Sequence, residues 1–84
     1  MGDEGLIRIG KISHFSSSRR LIARMESGTP PPLGSKVFDS NLHPIGVILD
    51  VFGPIQSPYL SIKPEVPFPQ KNIGRVIYVE KRSR

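Results

Sequence analysis

Gly46-Val47-Ile48-Leu49-Asp50-Val51-Phe52-Gly53-Pro54-Ile55-Gln56-Ser57-Pro58-Tyr59-Leu60-Ser61-Ile62-Lys63-Pro64 is the stretch on which the reading of this chain turns. β-Branched and aromatic residues crowd both of its halves, and such side chains suit a pleated, half-buried surface. Gly53 reaches backbone angles denied to other residues, and Pro54 then fixes the direction in which the chain leaves. The stretch therefore reads as a strand, a tight turn, a short link, and a second strand between Pro58 and Pro64.

Strict alternation along the first of these strands puts Ile45, Val47, Leu49 and Val51 on one face and Gly46, Ile48, Asp50 and Phe52 on the other. The first set reads as core. A small barrel has a single interior, so Ile48 and Phe52 are left without cover. With Gly53, Pro54, Ile55, Pro58 and Tyr59 they are expected to form a stiff apolar surface that meets another polypeptide. The competing expectation is that the chain's own proline-rich loops fold over them. The pair Val76/Tyr78 against Ile77/Val79 poses the same question, because both faces of that segment are apolar.

Outward from this region the pattern repeats. Six segments carry alternating or β-branched apolar residues between turn formers: Leu6 to Phe15, Arg20 to Met25, Ser35 to Phe38, Ile45 to Phe52, Tyr59 to Lys63 and Arg75 to Glu80. No stretch shows capped helical periodicity, so almost no helix is expected. Ser16-Ser17-Ser18-Arg19 is short enough to close a hairpin. Pro30-Pro31-Pro32 favours an extended loop, and Pro64 to Asn72 links the last two strands. No internal repeat is visible. These elements predict an all-β fold, a small six-stranded antiparallel barrel over residues 6–80, with a flexible N-terminus at 1–5 and a basic tail at 81–84.

Composition narrows the function. Nine Pro and eight Gly in 84 residues suit short strands and many turns. Cysteine is absent, which removes disulfides and thiolate metal sites and favours an intracellular setting. No apolar run approaches the ~20 residues of a membrane-spanning helix, so no membrane association is expected. Twelve Lys and Arg against seven Asp and Glu give a net charge of +5, a balance that attracts polyanions such as RNA. Arg19, Arg20, Lys81, Arg82 and Arg84 are the candidates for electrostatic contact with RNA or a partner. Two histidines, His14 and His43, supply neither a metal site nor a nucleophile and base. Asp39 and Asp50 read as turn caps rather than acid-base residues. Phosphate-binding glycine loops are missing, so no enzyme activity, metal or cofactor is expected.

Gly46-Val47, Asp50-Val51-Phe52-Gly53-Pro54, Pro58-Tyr59 and Ile62-Lys63-Pro64 together resemble the core signature of the Gar-one family of box H/ACA ribonucleoprotein subunits. Ile9-Gly10-Lys11-Ile12, Lys36-Val37-Phe38-Asp39 and Gly74-Arg75-Val76-Ile77-Tyr78-Val79 occur in that family's order, so the likeness runs from Ile7 to Glu80. It implies a barrel of the kind found in translation factors (reductase, isomerase and elongation-factor domains) and a subunit that performs no chemistry. The implied partner is the catalytic pseudouridine synthase subunit, a relative of dyskerin, with the H/ACA guide RNA in the same particle but not directly contacted. The implied role is to modulate loading and release of substrate RNA. Glycine-arginine tails typical of eukaryotic members are lacking, which matches either the compact archaeal form, with a cytoplasmic location, or a trimmed core; a eukaryotic member would be nucleolar. Two alternatives stay open: a barrel that binds RNA directly, and an H/ACA assembly factor with a related core.

Overall fold

The computed structural model describes residues 5–26 and 29–80. Its strands are β1 (Leu6–Phe15), β2 (Leu21–Met25), β3 (Lys36–Phe38), β4 (Pro44–Phe52), β5 (Tyr59–Pro64) and β6 (Val76–Glu80). One turn of 3-10 helix, Pro69–Asn72, stands between β5 and β6. All strand pairs are antiparallel, and the sheet closes on itself in the order β1-β2-β5-β4-β3-β6. The expected flexible N-terminus falls on residues of which 1–4 lie outside the described part, as does the whole basic tail at 81–84.

Inside the barrel, alternation gives Leu21, Ala23 and Met25 from β2, Leu60 and Ile62 from β5, and Ile77 and Val79 from β6. Val76 and Tyr78, on the other face of β6, are half-buried. The two long strands depart from alternation. In β4, Ile45 and Ile48 are both core residues, whereas Leu49, expected inside, is 37% exposed. The strand pairing supplies the reason. Val37 pairs with Gly46 and Phe38 with Pro44, which leaves Ile45 as an extra residue against β3. Ile48 pairs with Ile62 and Asp50 with Ser61, which leaves Leu49 extra against β5. Each bulge moves the following side chains to the opposite face. Ile48 therefore points into its own barrel, fully buried, and the expectation that it meets a partner is overturned.

β1 follows the same plan. Ile9 is extra against β6 and Ser13 against β2, and Ile9 and Ile12 both reach the core. Ile9-Gly10-Lys11-Ile12 and Ile45-Gly46-Val47-Ile48 are thus the same device, Ile-Gly-x-Ile, on strands that face each other across the ring. The repeat escaped the sequence reading because only these few positions recur. The glycines serve closure. A Cβ on Gly10 would overlap the carbonyl oxygen of Arg24, and one on Gly46 that of Lys63.

Turns are finished locally. Asp39, buried at the end of β3, accepts backbone N–H bonds from Asn41 at 2.8 Å and His43 at 3.0 Å through Oδ1. Its role as a turn cap is as expected. Arg8 donates two 2.8 Å hydrogen bonds to Glu26 across the outer wall. They hold the Glu26 carboxyl below the usual carboxylate range, so the pair's contribution is present near neutral pH and is lost as pH falls through that lowered value. Both groups are exposed and screened by solvent.

The bulge assignment has a measurable consequence. Ile48→Ala empties a filled core site and should cost about 2 to 5 kcal/mol, whereas Leu49→Ala one residue away should cost less than about 1 kcal/mol. Thermal unfolding followed by circular dichroism measures both; uninterrupted alternation along β4 would reverse their order.

Candidate partner-binding site

At the far end of β4 the pairing returns to register, and Arg24, Tyr59 and Phe52 form one rank across β2, β5 and β4. Their inward neighbours in the next rank are Ala23, Leu60 and Val51. The Phe52 and Tyr59 rings stack at 5.6 Å between centroids with 23° between planes, a cross-strand pair worth about 0.5 to 1.5 kcal/mol beyond its buried area. Phe52 nonetheless keeps 45% of its surface in solvent.

Gly53 follows with φ +96°, a region that L side chains rarely adopt, and a Cβ there would lie 2.9 Å from the Tyr59 ring. Both facts require glycine. A turn from Pro54 to Ser57 is closed by the Ser57 N–H donating to the Pro54 carbonyl at 3.3 Å. The tip is also tied down from the side. Met25 N–H donates to the Pro58 carbonyl at 3.0 Å, and the Ser57 hydroxyl donates to the Met25 carbonyl at 3.3 Å while accepting from Arg24 Nε at 3.4 Å. These bonds hold Ile55, 96% exposed, at the apex of a fixed turn. Beside it lies a shallow depression of about 510 Å³ whose floor and rim include Lys11, Ile12, Arg24, Met25 and Ser57.

Of the expected partner-contact residues, Phe52, Gly53, Pro54 and Ile55 are brought together in the open, and Tyr59 supports them half-buried. Pro58 is buried. Its carbonyl is engaged by β2, so like Ile48 it is a structural residue, and its expected contact role is corrected. Arg19 and Arg20 lie elsewhere, at the β1–β2 turn. Lys81, Arg82 and Arg84 lie outside the described residues. The sequence reading missed Arg24, whose place beside Tyr59 depends on strand order, and Phe68, 64% exposed in the β5–β6 connection. Among the described residues no group of three or more His, Cys, Asp or Glu side chains is placed to hold a metal ion.

The fold and its displayed turn define a class: a small closed β-barrel that presents a hydrogen-bonded, apolar-tipped turn. The family model of the Gar1/Naf1 RNA binding region matches residues 6–83, and the chain belongs to this family. It is a non-catalytic RNA-binding family associated with H/ACA ribonucleoproteins. The chain is also 43% identical over 75 residues to an uncharacterized protein of the methanogenic archaeon Methanothermobacter thermautotrophicus, covering 84% of this chain and 79% of that one.

Gly53→Ala should cost about 1 to 3 kcal/mol, since it combines left-handed backbone strain with a clash against Tyr59. Denaturant unfolding reads the loss, and a shift of the Tyr59 ring resonances in NMR locates it at the stacked pair.

Proposed function

We propose that the chain is a non-catalytic subunit of a box H/ACA RNA-guided pseudouridine synthase particle and docks on the catalytic, dyskerin-like subunit through the β4–β5 turn. The observation that carries this reading is Ile55, almost wholly exposed yet held at the apex of a hydrogen-bonded turn beside a stacked aromatic pair. A large aliphatic side chain left in water on a hydrogen-bonded turn contributes little to its own fold. The turn backbone loses little entropy on docking, and the side chain releases its hydration when a partner covers it.

On this reading Phe52 and Ile55 are the anchors, the neighbouring depression receives a complementary side chain, and Arg24 supplies a polar rim. Modulation of substrate RNA loading and release follows if the subunit binds one position of a mobile element of the synthase better than another, because a ligand indifferent to both positions shifts neither. A cytoplasmic location, as for a compact archaeal-like member, belongs to the same proposal.

Phe52→Ala combined with Ile55→Ala should weaken synthase binding by two or more orders of magnitude, at about 2 kcal/mol for each anchor. Isothermal titration against the purified catalytic subunit measures this, and an unchanged circular dichroism melt shows that the barrel is intact. Full-strength binding by the double variant would remove the β4–β5 turn as the interface.

A further inference from the structure

The β5–β6 connection carries a second surface, and it lies at the end of the barrel away from the β4–β5 turn. β2 and β5 run antiparallel, with Leu21 opposite Ile62 and Arg24 opposite Tyr59. The β1–β2 turn and Pro64 therefore lie at one end of these strands and the Gly53 turn at the other, separated by about 15 Å of extended chain.

At this end Val66 packs against the core, while Pro67 and Phe68 stay at the surface as a ridge. A groove of about 350 Å³ on one side includes Arg19, Arg20 and Lys63 in its walls. A second of about 290 Å³ on the other side includes His43, Lys71 and Arg75. Val66 and Pro67 border both grooves, so the cations flank one continuous ridge.

The carboxylate lining these grooves is Asp39, and its Oδ1 is occupied by two backbone N–H groups. Glu65, exposed just before Val66, reduces the positive balance without cancelling five lysines and arginines. The Lys71 ammonium stands over the exposed Phe68 ring, 5.3 Å from its centre, a cation–π contact; a phosphate that draws Lys71 to itself uncovers that face and brings its own base within reach of the ring. Arg19 is held at φ 66° in the β1–β2 turn, a strain that glycine or asparagine would relieve.

We propose that this end of the barrel binds single-stranded RNA, with one base stacked on Phe68 and the flanking phosphates held by Arg19, Arg20 and Lys63 on one side and Lys71 and Arg75 on the other. An aromatic ring lining one cationic groove, with a second cationic groove across the Val66–Pro67 ridge, is an arrangement that suits an unpaired strand, because every base has a stacking face and every phosphate a charge. Duplex RNA would hide its base faces from Phe68. Membership of an RNA-binding family does not say which residues touch RNA; the ridge assigns them, and it does so independently of the protein-docking proposal.

The test is fluorescence anisotropy of the full chain with a labelled, unstructured RNA of about 12 nucleotides, titrated between about 50 and 200 mM salt. Phe68→Ala is expected to weaken binding about tenfold with the salt dependence unchanged, since stacking carries no net charge. Arg19→Gln with Lys63→Gln is expected to flatten the log-log salt slope by about 1.4, or about 0.7 for each phosphate contact removed. All three side chains are exposed, so parental melting curves are expected and serve as the folding control. Parental RNA affinity in Phe68→Ala would overturn the proposal. So would equal competition by a duplex of the same sequence or by a polyglutamate peptide, as would binding that vanishes only when Lys81, Arg82 and Arg84 are replaced. Phe68→Ala should keep full synthase binding, and the Phe52 and Ile55 double variant full RNA binding, so each proposal can fail without the other.

Discussion

Closing a six-stranded sheet on itself within so short a chain is the constraint from which the rest of the molecule follows. Strand tilt and stagger are linked to strand number in a closed barrel, and a ring of six must coil sharply. The sharp coiling is concentrated in the two long strands, β1 with ten residues and β4 with nine. Each bulges once against each of its neighbours, at Ile9 and Ser13 and at Ile45 and Leu49. Each also carries a glycine where the adjacent backbone would collide with a Cβ. The bulges have a second effect, because an extra residue flips the strand's facing. Isoleucines three apart then reach the same interior, and every strand contributes to one compact core.

That arrangement also dictates where function can reside. Exchanging β1 with β4, β2 with β5 and β3 with β6 reproduces the order around the ring in reverse, so the two halves of the chain are related by an approximate two-fold axis. The β1–β2 and β4–β5 turns correspond under this exchange and must lie at opposite ends of the barrel. They are finished with opposite chemistry. Ser16-Ser17-Ser18-Arg19-Arg20 is polar and cationic, whereas Gly53-Pro54-Ile55 is apolar and stiff. A closed sheet has no free edge to offer a partner, which leaves its turns and outer wall as the places where binding chemistry can differ.

What the sequence disclosed and what it concealed divide along the same line. The six strands, their bounds to within a residue or two, and the near-absence of helix were legible because turn-forming residues separate β-branched runs such as Leu21 to Met25 and Tyr59 to Pro64. Facing along β4 was not legible. Ile45 to Leu49 are apolar apart from Gly46, so no polar residue marks the bulges that send Ile48 inward and Leu49 outward. Pro58 was misread for a related reason, since it is buried where the chain meets β2, with its carbonyl accepting the Met25 N–H, a contact between segments distant in the chain. Phe52 and Ile55 were legible as a displayed pair because Gly53 and Pro54 specify the turn locally.

Phe68 shows how far such reading extends. In sequence it stands among prolines, with Lys71 its nearest cation and Arg19, Arg20 and Lys63 up to 49 positions away. Only the β2–β5 pairing and the passage of the β5–β6 connection beside the β1–β2 turn bring these charges to the other side of the Val66–Pro67 ridge that carries it. Val66 fixes that passage by packing on the core, so the residue that seals the barrel's end also sets the position of the aromatic ring outside it. Sealing and display are thus one structural act. The same coupling holds at the other end, where Phe52 and Tyr59 stack on the outer wall above Val51 and Leu60 and carry the Gly53 turn with them. Neither surface rests on a free loop. Each is an outward projection of a closed core, which lets a barrel this small hold two chemically distinct surfaces at a fixed separation.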